Sequence, residues 1–223
     1  NAEKPEELKE LAGRIKIAAV LFECIQGEGG VIPLSKDYVK FLREFTEQNG
    51  ILLMIDEVQT GNGRTGRLYS YMNYGITPDI VTTAKGLGGG LPIGATLLSK
   101  KVENIFEFGD HGSTFGGNPV CCAGAYNVIS RLDEEFLSEV TRKGKMLVGA
   151  LSGSPGIEDI TGMGLMLGLK TKRVAADVIK QCINDGVLCL SAKDRVRLLP
   201  PLNTPDSLLL RAAEIIKNAC KGE

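Results

Sequence analysis

Little in this sequence points to charge-driven or metal-driven chemistry. The net charge is −1, so no basic footprint argues for nucleic acid or an anionic membrane. There is one histidine, and the six cysteines (Cys24, Cys121, Cys122, Cys182, Cys189, Cys220) show neither C-x-x-C nor metal-ligand spacing. That combination argues against a zinc site, and no metal is expected. Reduced thiols in a cytoplasmic compartment are the simplest reading. No apolar run reaches the roughly 20 residues a helix needs to cross a bilayer. No secretory signal pattern stands at the start. Internal repeats and low-complexity tracts are absent too.

What is present suits a globular α/β protein. The 223 residues are 43% hydrophobic and 24% charged, enough to bury a sizeable core in one large or two small domains. Residues 3–13 read as a short amphipathic helix that Gly13 ends. Residues 17–25 (IAAVLFECI) read as a buried parallel strand. Ser35 suits the N-cap of a helix over 36–49, which Gly50 closes, and 51–55 (ILLMI) is the next buried strand. Strand, helix, strand in that order is a βαβ unit. Further strands are expected at 80–84 and 93–99, and a helical turn at 102–108. A helix start is expected at Asn118-Pro119, leading into one long helical stretch from about Val120 to Leu151. After the SGSPG break at 152–156, a strand (164–169), a helix (174–185), two short strands (187–191, 196–199) and a terminal helix (206–220) follow. The break suggests two domains, 1–125 and 126–223, with the long helix as connector.

The chain is organised around residues 51–98. An apolar run ends in Asp56, a glycine-rich loop follows, and a second apolar run ends in Lys85 within TTAKGLGGG. A carboxylate at one strand end can hold a ring nitrogen protonated, and a lysine at another can form an imine with an aldehyde. Glycines beside the lysine let backbone approach a cofactor without a Cβ clash. Asp56 precedes Lys85 by 29 residues (85 − 56).

These pieces resemble the class III (ornithine-type) aminotransferases. The matching stretches are QGEGG (26–30), DEVQTGNGRTGR (56–67), PDIVTTAKGLGGGLPIGA (78–95), HGSTFGGNP (111–119) and VRLLPPL (196–202). Each is weak alone, but five in order are specific, and their wording is nearest the acetylornithine branch. The resemblance implies the fold of PLP-dependent transferases of fold type I: an incomplete large domain with a mostly parallel sheet, plus a small α/β C-terminal domain. It implies pyridoxal 5′-phosphate (PLP) as cofactor, and transfer of an amino group from N-acetylornithine to 2-oxoglutarate in arginine biosynthesis. Ornithine, succinylornithine and 4-aminobutyrate are the competing donors.

By the same resemblance, Lys85 is the catalytic lysine and Asp56 the partner of the pyridinium nitrogen. Val58 packs on the ring and Gln59 donates to its phenolic oxygen. Thr114 reaches the cofactor phosphate of a neighbouring subunit, with Ser113 beside it near the substrate, which implies a homodimer with shared active sites. Arg197 grips a substrate carboxylate, and Arg195, two residues earlier on the same strand face, is the alternative if the register slips. Glu28 pairs with that arginine when no carboxylate is present. Glu57 and His111 read as structural.

Two departures stand out. Where the family has proline after the strand-end glutamate, this chain has Cys24 after Glu23. The phosphate-cradling loop and stacking aromatic of the family's N-terminal half do not appear, and the first residue is Asn1. The expectation is therefore the C-terminal part of a longer protein or a truncated product, binding PLP weakly or not at all by itself. Two readings of other classes remain: a nucleotide-binding α/β module, and a non-catalytic fragment that works through a partner chain. GLGGG invites the first, but no G-x-G-x-x-G opening a helix and no P-loop is found.

Overall fold

The computed structural model describes residues 3–222. In chain order the elements are α1 (Pro5–Arg14), β1 (Ala19–Phe22), β2 (Ile25–Gln26), β3 (Ile32–Pro33), α2 (Lys36–Gln48), β4 (Leu52–Asp56), β5 (Ile80–Thr83), β6 (Ala95–Leu98), α3 (Pro119–Ile129), α4 (Glu134–Leu151), β7 (Ile157–Met163), β8 (Met166–Thr171), α5 (Ala175–Asn184), β9 (Leu190–Ala192), β10 (Arg195–Leu198) and α6 (Asp206–Lys221). They fall into two compact units. One holds residues up to 24, 34–62 and 67–133; the other holds 25–33, 63–66 and 134 onward.

The first unit is built on a four-stranded sheet of order β1-β4-β5-β6. β1 and β5 pair with β4 in parallel, as apolar strands linked by crossovers should, but β1 is at the sheet edge and is not the buried strand expected, with Leu21 exposed. β6 runs antiparallel to β5, with Thr83 opposite Ala95. The connection between them is too short for a crossover helix, so the chain can only turn back. Ser35 caps α2 as its sequence position predicts, its Oγ accepting from the Tyr38 N–H at 3.2 Å. Cys24, in the place of the expected proline, is fully buried, and its carbonyl accepts from Leu34 N (2.9 Å) and Tyr74 Oη (3.1 Å). These bonds close the neck from which residues 25–33 leave the unit.

The second unit holds an antiparallel sheet, β7-β8-β10-β9. Its core is Val140, Leu147 and Leu151 of α4, Leu167 and Leu169 of β8, Val178 and Cys182 of α5, and Leu209, Ala213 and Ile216 of α6. These recur at helical spacing on the helices, so each presents one apolar stripe to the sheet.

Three readings of the sequence need correction. The long helix is two helices, broken over residues 130–133. Ser130 Oγ donates to Asn127 O at 3.2 Å, Arg131 N and Leu132 N bond three residues back, and Asp133 precedes the acidic start of α4. Serine and aspartate favour such local bonds over helix continuation. Residues 102–108 form turns, not a helix; Ile105, Phe106 and Phe108 are exposed, so no packing drives one. β7 was hidden because IEDITGM lacks apolar alternation, which an edge strand can dispense with. The two-residue pair β2–β3 is too short to leave any periodicity.

Candidate active site

In the first unit, the parallel register carries Asp56 and Lys85 to one edge of the sheet. Asp56 ends β4 directly opposite Thr82 of β5, and Lys85 follows Thr82 by three residues. Carboxyl ends of adjacent parallel strands are where open α/β sheets place ligands. The Asp56 carboxylate accepts from Val58 N at 2.8 Å, which fixes its rotamer. Val58 and Gln59 are half-buried in the turn that follows. Lys85 is exposed and has φ +47°, a left-handed conformation uncommon outside glycine. Backbone strain of this kind persists where surrounding structure holds it.

What holds it is Asn62, a residue the sequence reading passed over. Its Nδ2 donates to Ala84 O (3.1 Å) and Thr83 Oγ1 (3.2 Å), tying the glycine-rich loop to the turn that carries Lys85. Asn62 is itself left-handed at φ +56°. The Asn-Gly pair at 62–63 was the signal available. Beneath the loop lies Glu57, fully buried. Its Oε1 accepts from Ser70 Oγ (2.7 Å) and Tyr71 N (3.0 Å), and its Oε2 from Thr60 Oγ1 (2.5 Å). Burial pushes its carboxyl above the usual range, against those hydrogen bonds.

Ser113 and Thr114 stand apart from this arrangement. All residues from 103 to 120 are exposed, and the loop is held by short-range bonds such as Gly116 N to Ser113 O at 3.3 Å. His111 packs edge-on against Phe106 with ring centroids 5.0 Å apart.

In the second unit, β10 presents Arg195 and Arg197 on one face. Arg197 is 7% exposed, and its Nη1 donates to Glu28 Oε1 at 2.5 Å. The Glu28 side chain is 75% exposed. Arg195 pairs instead with Asp159, Nη2 to Oδ2 at 2.8 Å. It is thus Arg197, not Arg195, that pairs with Glu28 of the QGEGG loop. Arg64 also went unread. Its Nη1 donates to the carbonyls of Leu165 (3.2 Å) and Pro200 (2.5 Å), and burial lowers its pKa to about 10.

A strand-end carboxylate beside a strand-end amine matches a cofactor with a basic ring nitrogen and an aldehyde. Thr82 Oγ1, on the Asp56 face, is sealed from solvent with no hydrogen-bond partner among the described residues. The donor set therefore fits PLP. Among the described residues, no group of three or more His, Cys, Asp or Glu side chains could hold a metal ion.

The mixed α/β fold with its mostly parallel sheet is that of the PLP-dependent transferases, and comparison with known proteins gives the family. The family model for class-III aminotransferases matches residues 2–220. The chain belongs to that family, whose members depend on PLP. It is 48% identical over 202 residues to the acetylornithine aminotransferase of Haemophilus ducreyi, covering 90% of this chain and 51% of that protein. To the Lactococcus lactis acetylornithine aminotransferase it is 43% identical over 217 residues, covering 94% and 57%. Among solved structures, the N-acetylornithine aminotransferase of Stenotrophomonas maltophilia superposes with TM-score 0.88 at 33% identity, over 97% of this chain and 60% of that one. The chain spans about half the length of the curated relatives it matches.

Proposed function

We propose that this chain supplies the catalytic and carboxylate-binding parts of an aminotransferase that moves the δ-amino group of N-acetylornithine to 2-oxoglutarate, in arginine biosynthesis. The observation that carries the reading is the placement of Asp56 and Lys85 at the ends of paired parallel strands within a class-III chain. The donor is taken from the relatives named acetylornithine aminotransferase. When bound, PLP supplies an electron sink for the carbon that loses its proton.

The chain's own groups do the rest. Lys85 Nζ would hold the cofactor aldehyde and, once released by the incoming amine, would carry the proton from the carbon bearing the amino group. The Asp56 carboxylate keeps the ring nitrogen protonated, and Val58 N orients that carboxylate. Val58 and Gln59 flank the ring in this reading. Arg197 grips a carboxylate of 2-oxoglutarate in bidentate fashion. Glu28 covers Arg197 in the donor half-reaction and swings out when the oxo acid arrives; its exposure makes that motion cheap. Ser113 and Thr114, on an exposed loop, serve a neighbouring subunit, so the working form is a homodimer. All six cysteines are free, which supports a reducing cytoplasm as the place of action. No helix among the described residues is long and apolar enough to cross a membrane.

The test is glutamate formation from 2-oxoglutarate with N-acetylornithine, ornithine, succinylornithine or 4-aminobutyrate as donor. The largest kcat/KM is expected with N-acetylornithine. A preference for another donor would reassign the substrate within the class. Absence of transfer with every donor by the PLP-loaded protein would favour the non-catalytic reading.

A further inference from the structure

The QGEGG loop is seated on the second unit's sheet by one side chain, Val31. Val31 has φ +55°, a conformation that a β-branched residue rarely adopts, and it is fully buried. It packs with Ile25, Met166 and Ala192. Its N–H reaches back to Gly27 O at 3.2 Å, closing the turn that carries Glu28. Directly beneath it is Gly168 of β8. A Cβ on Gly168 would lie 2.8 Å from the Val31 Cβ, 3.0 Å from Gly30 O and 3.2 Å from Thr161 Oγ1. Gly168 is also the cross-strand partner of Arg197. The knob and its hole therefore sit beside the stem of the arginine that Glu28 touches. Arg195 Cδ lies 3.9 Å from where a Cβ on Gly30 would be, so the loop lies along this same face.

We propose that Val31 and Gly168 form a positioning lock that holds Glu28 on Arg197 and so sets how readily a carboxylate displaces it. This rests on the proposed role of Glu28 and Arg197. Glu28 is largely solvent-exposed, whereas Val31, three residues on, is wedged into the sheet. Strain at Val31 is tolerated because leaving the hole would expose its whole side chain. Any shift of the loop outward lengthens the Glu28–Arg197 contact first.

The test is equilibrium binding of glutarate, a dicarboxylate that cannot react, to the cofactor-free protein by calorimetry. Glu28→Gln removes the internal competitor and is expected to tighten glutarate binding about fivefold, the worth of an ion pair with one exposed partner. Gly168→Ala pushes the loop off and is expected to tighten binding toward the Glu28→Gln value. In the Glu28→Gln background, Gly168→Ala is expected to change nothing, since the lock acts only through Glu28. Val31→Gly combined with Gly168→Ala moves the bulk to the other side of the contact and is expected to return binding toward wild type. Val31→Ala, a milder change should Gly168→Ala fold poorly, is expected to act in the same direction with smaller size. A glutarate affinity unmoved by Gly168→Ala and Val31→Ala, or moved equally in both backgrounds, would overturn the lock while leaving Glu28 as gate. An unmoved Glu28→Gln would overturn gate and lock together.

Discussion

Glu57 is the buried group whose removal should be felt most in the first unit. It is fully buried and accepts three hydrogen bonds, from Ser70 Oγ, Thr60 Oγ1 and Tyr71 N. Glu57→Ala strands three donors, each costing about 1–3 kcal/mol when left unmade. Ser70 Oγ lies 3.3 Å from Thr60 Oγ1 and can recover part of one, and a desolvated carboxyl is also removed. The expected loss is roughly 3–5 kcal/mol, with the loop over residues 58–71 loosening first. Glu57→Gln keeps one acceptor oxygen for Ser70 and Tyr71 and is expected to cost about 1 kcal/mol. The pH dependence separates the two effects. Burial raises the folded carboxyl above its unfolded value, near 4.5. The group's stabilisation is thus complete below that value and is lost as pH rises through the folded one. Glutamine does not titrate, so the wild-type advantage over Glu57→Gln should be largest at acid pH and shrink on the alkaline side of 4.5. Urea unfolding followed by circular dichroism at a series of pH values measures it. An advantage that grows with pH would refute the reasoning, because it requires a folded carboxyl more acidic than the unfolded one.

Other outcomes follow from single contacts. Asn62→Ala removes the donor to Ala84 O and Thr83 Oγ1, and should weaken PLP retention on dialysis about tenfold, while Asn62→Asp, which sets a buried carboxylate oxygen against the Ala84 carbonyl, should lose at least as much. Gly162→Ala should destabilise the second unit by more than about 3 kcal/mol in thermal unfolding, because Gly162 sits at φ +116° and its Cβ would lie 1.9 Å from Met166 O. With a thiol reagent such as DTNB, Cys122 and then Cys121 should react in the native protein, while Cys24, Cys182, Cys189 and Cys220 wait for denaturant. Burial pushes the Cys24 thiol up to about 12 and that of Cys220 to about 11, so neither supplies thiolate at neutral pH.

How much was legible depended on whether a signal was local. The parallel β1–β4–β5 core was readable because apolar runs flanked by a capped helix leave few alternatives. Ser35 and Asn118 announced their helices by side-chain chemistry alone. Asp56 and Lys85 stood out because strand-end groups in glycine-rich surroundings have a chemical reason to be there. The rest is tertiary. Family resemblance named Arg197 rather than Arg195 as the partner of Glu28, and the two do pair, but the β-register that brings this about is not visible in a pattern of types. Asn62 and Glu57 matter through partners between 3 and 22 residues away, and a sequence shows donors without showing whom they face. β7 was lost because an edge strand need not alternate.

The central claim is that Lys85, beside Asp56, is the lysine that holds PLP. Its most direct test is borohydride reduction of the PLP-loaded protein, followed by peptide mass mapping, with Lys85→Ala as control. The account requires one reduced pyridoxyl group on Lys85, absent from the variant. Labelling of another lysine, or labelling unchanged in Lys85→Ala, would contradict it.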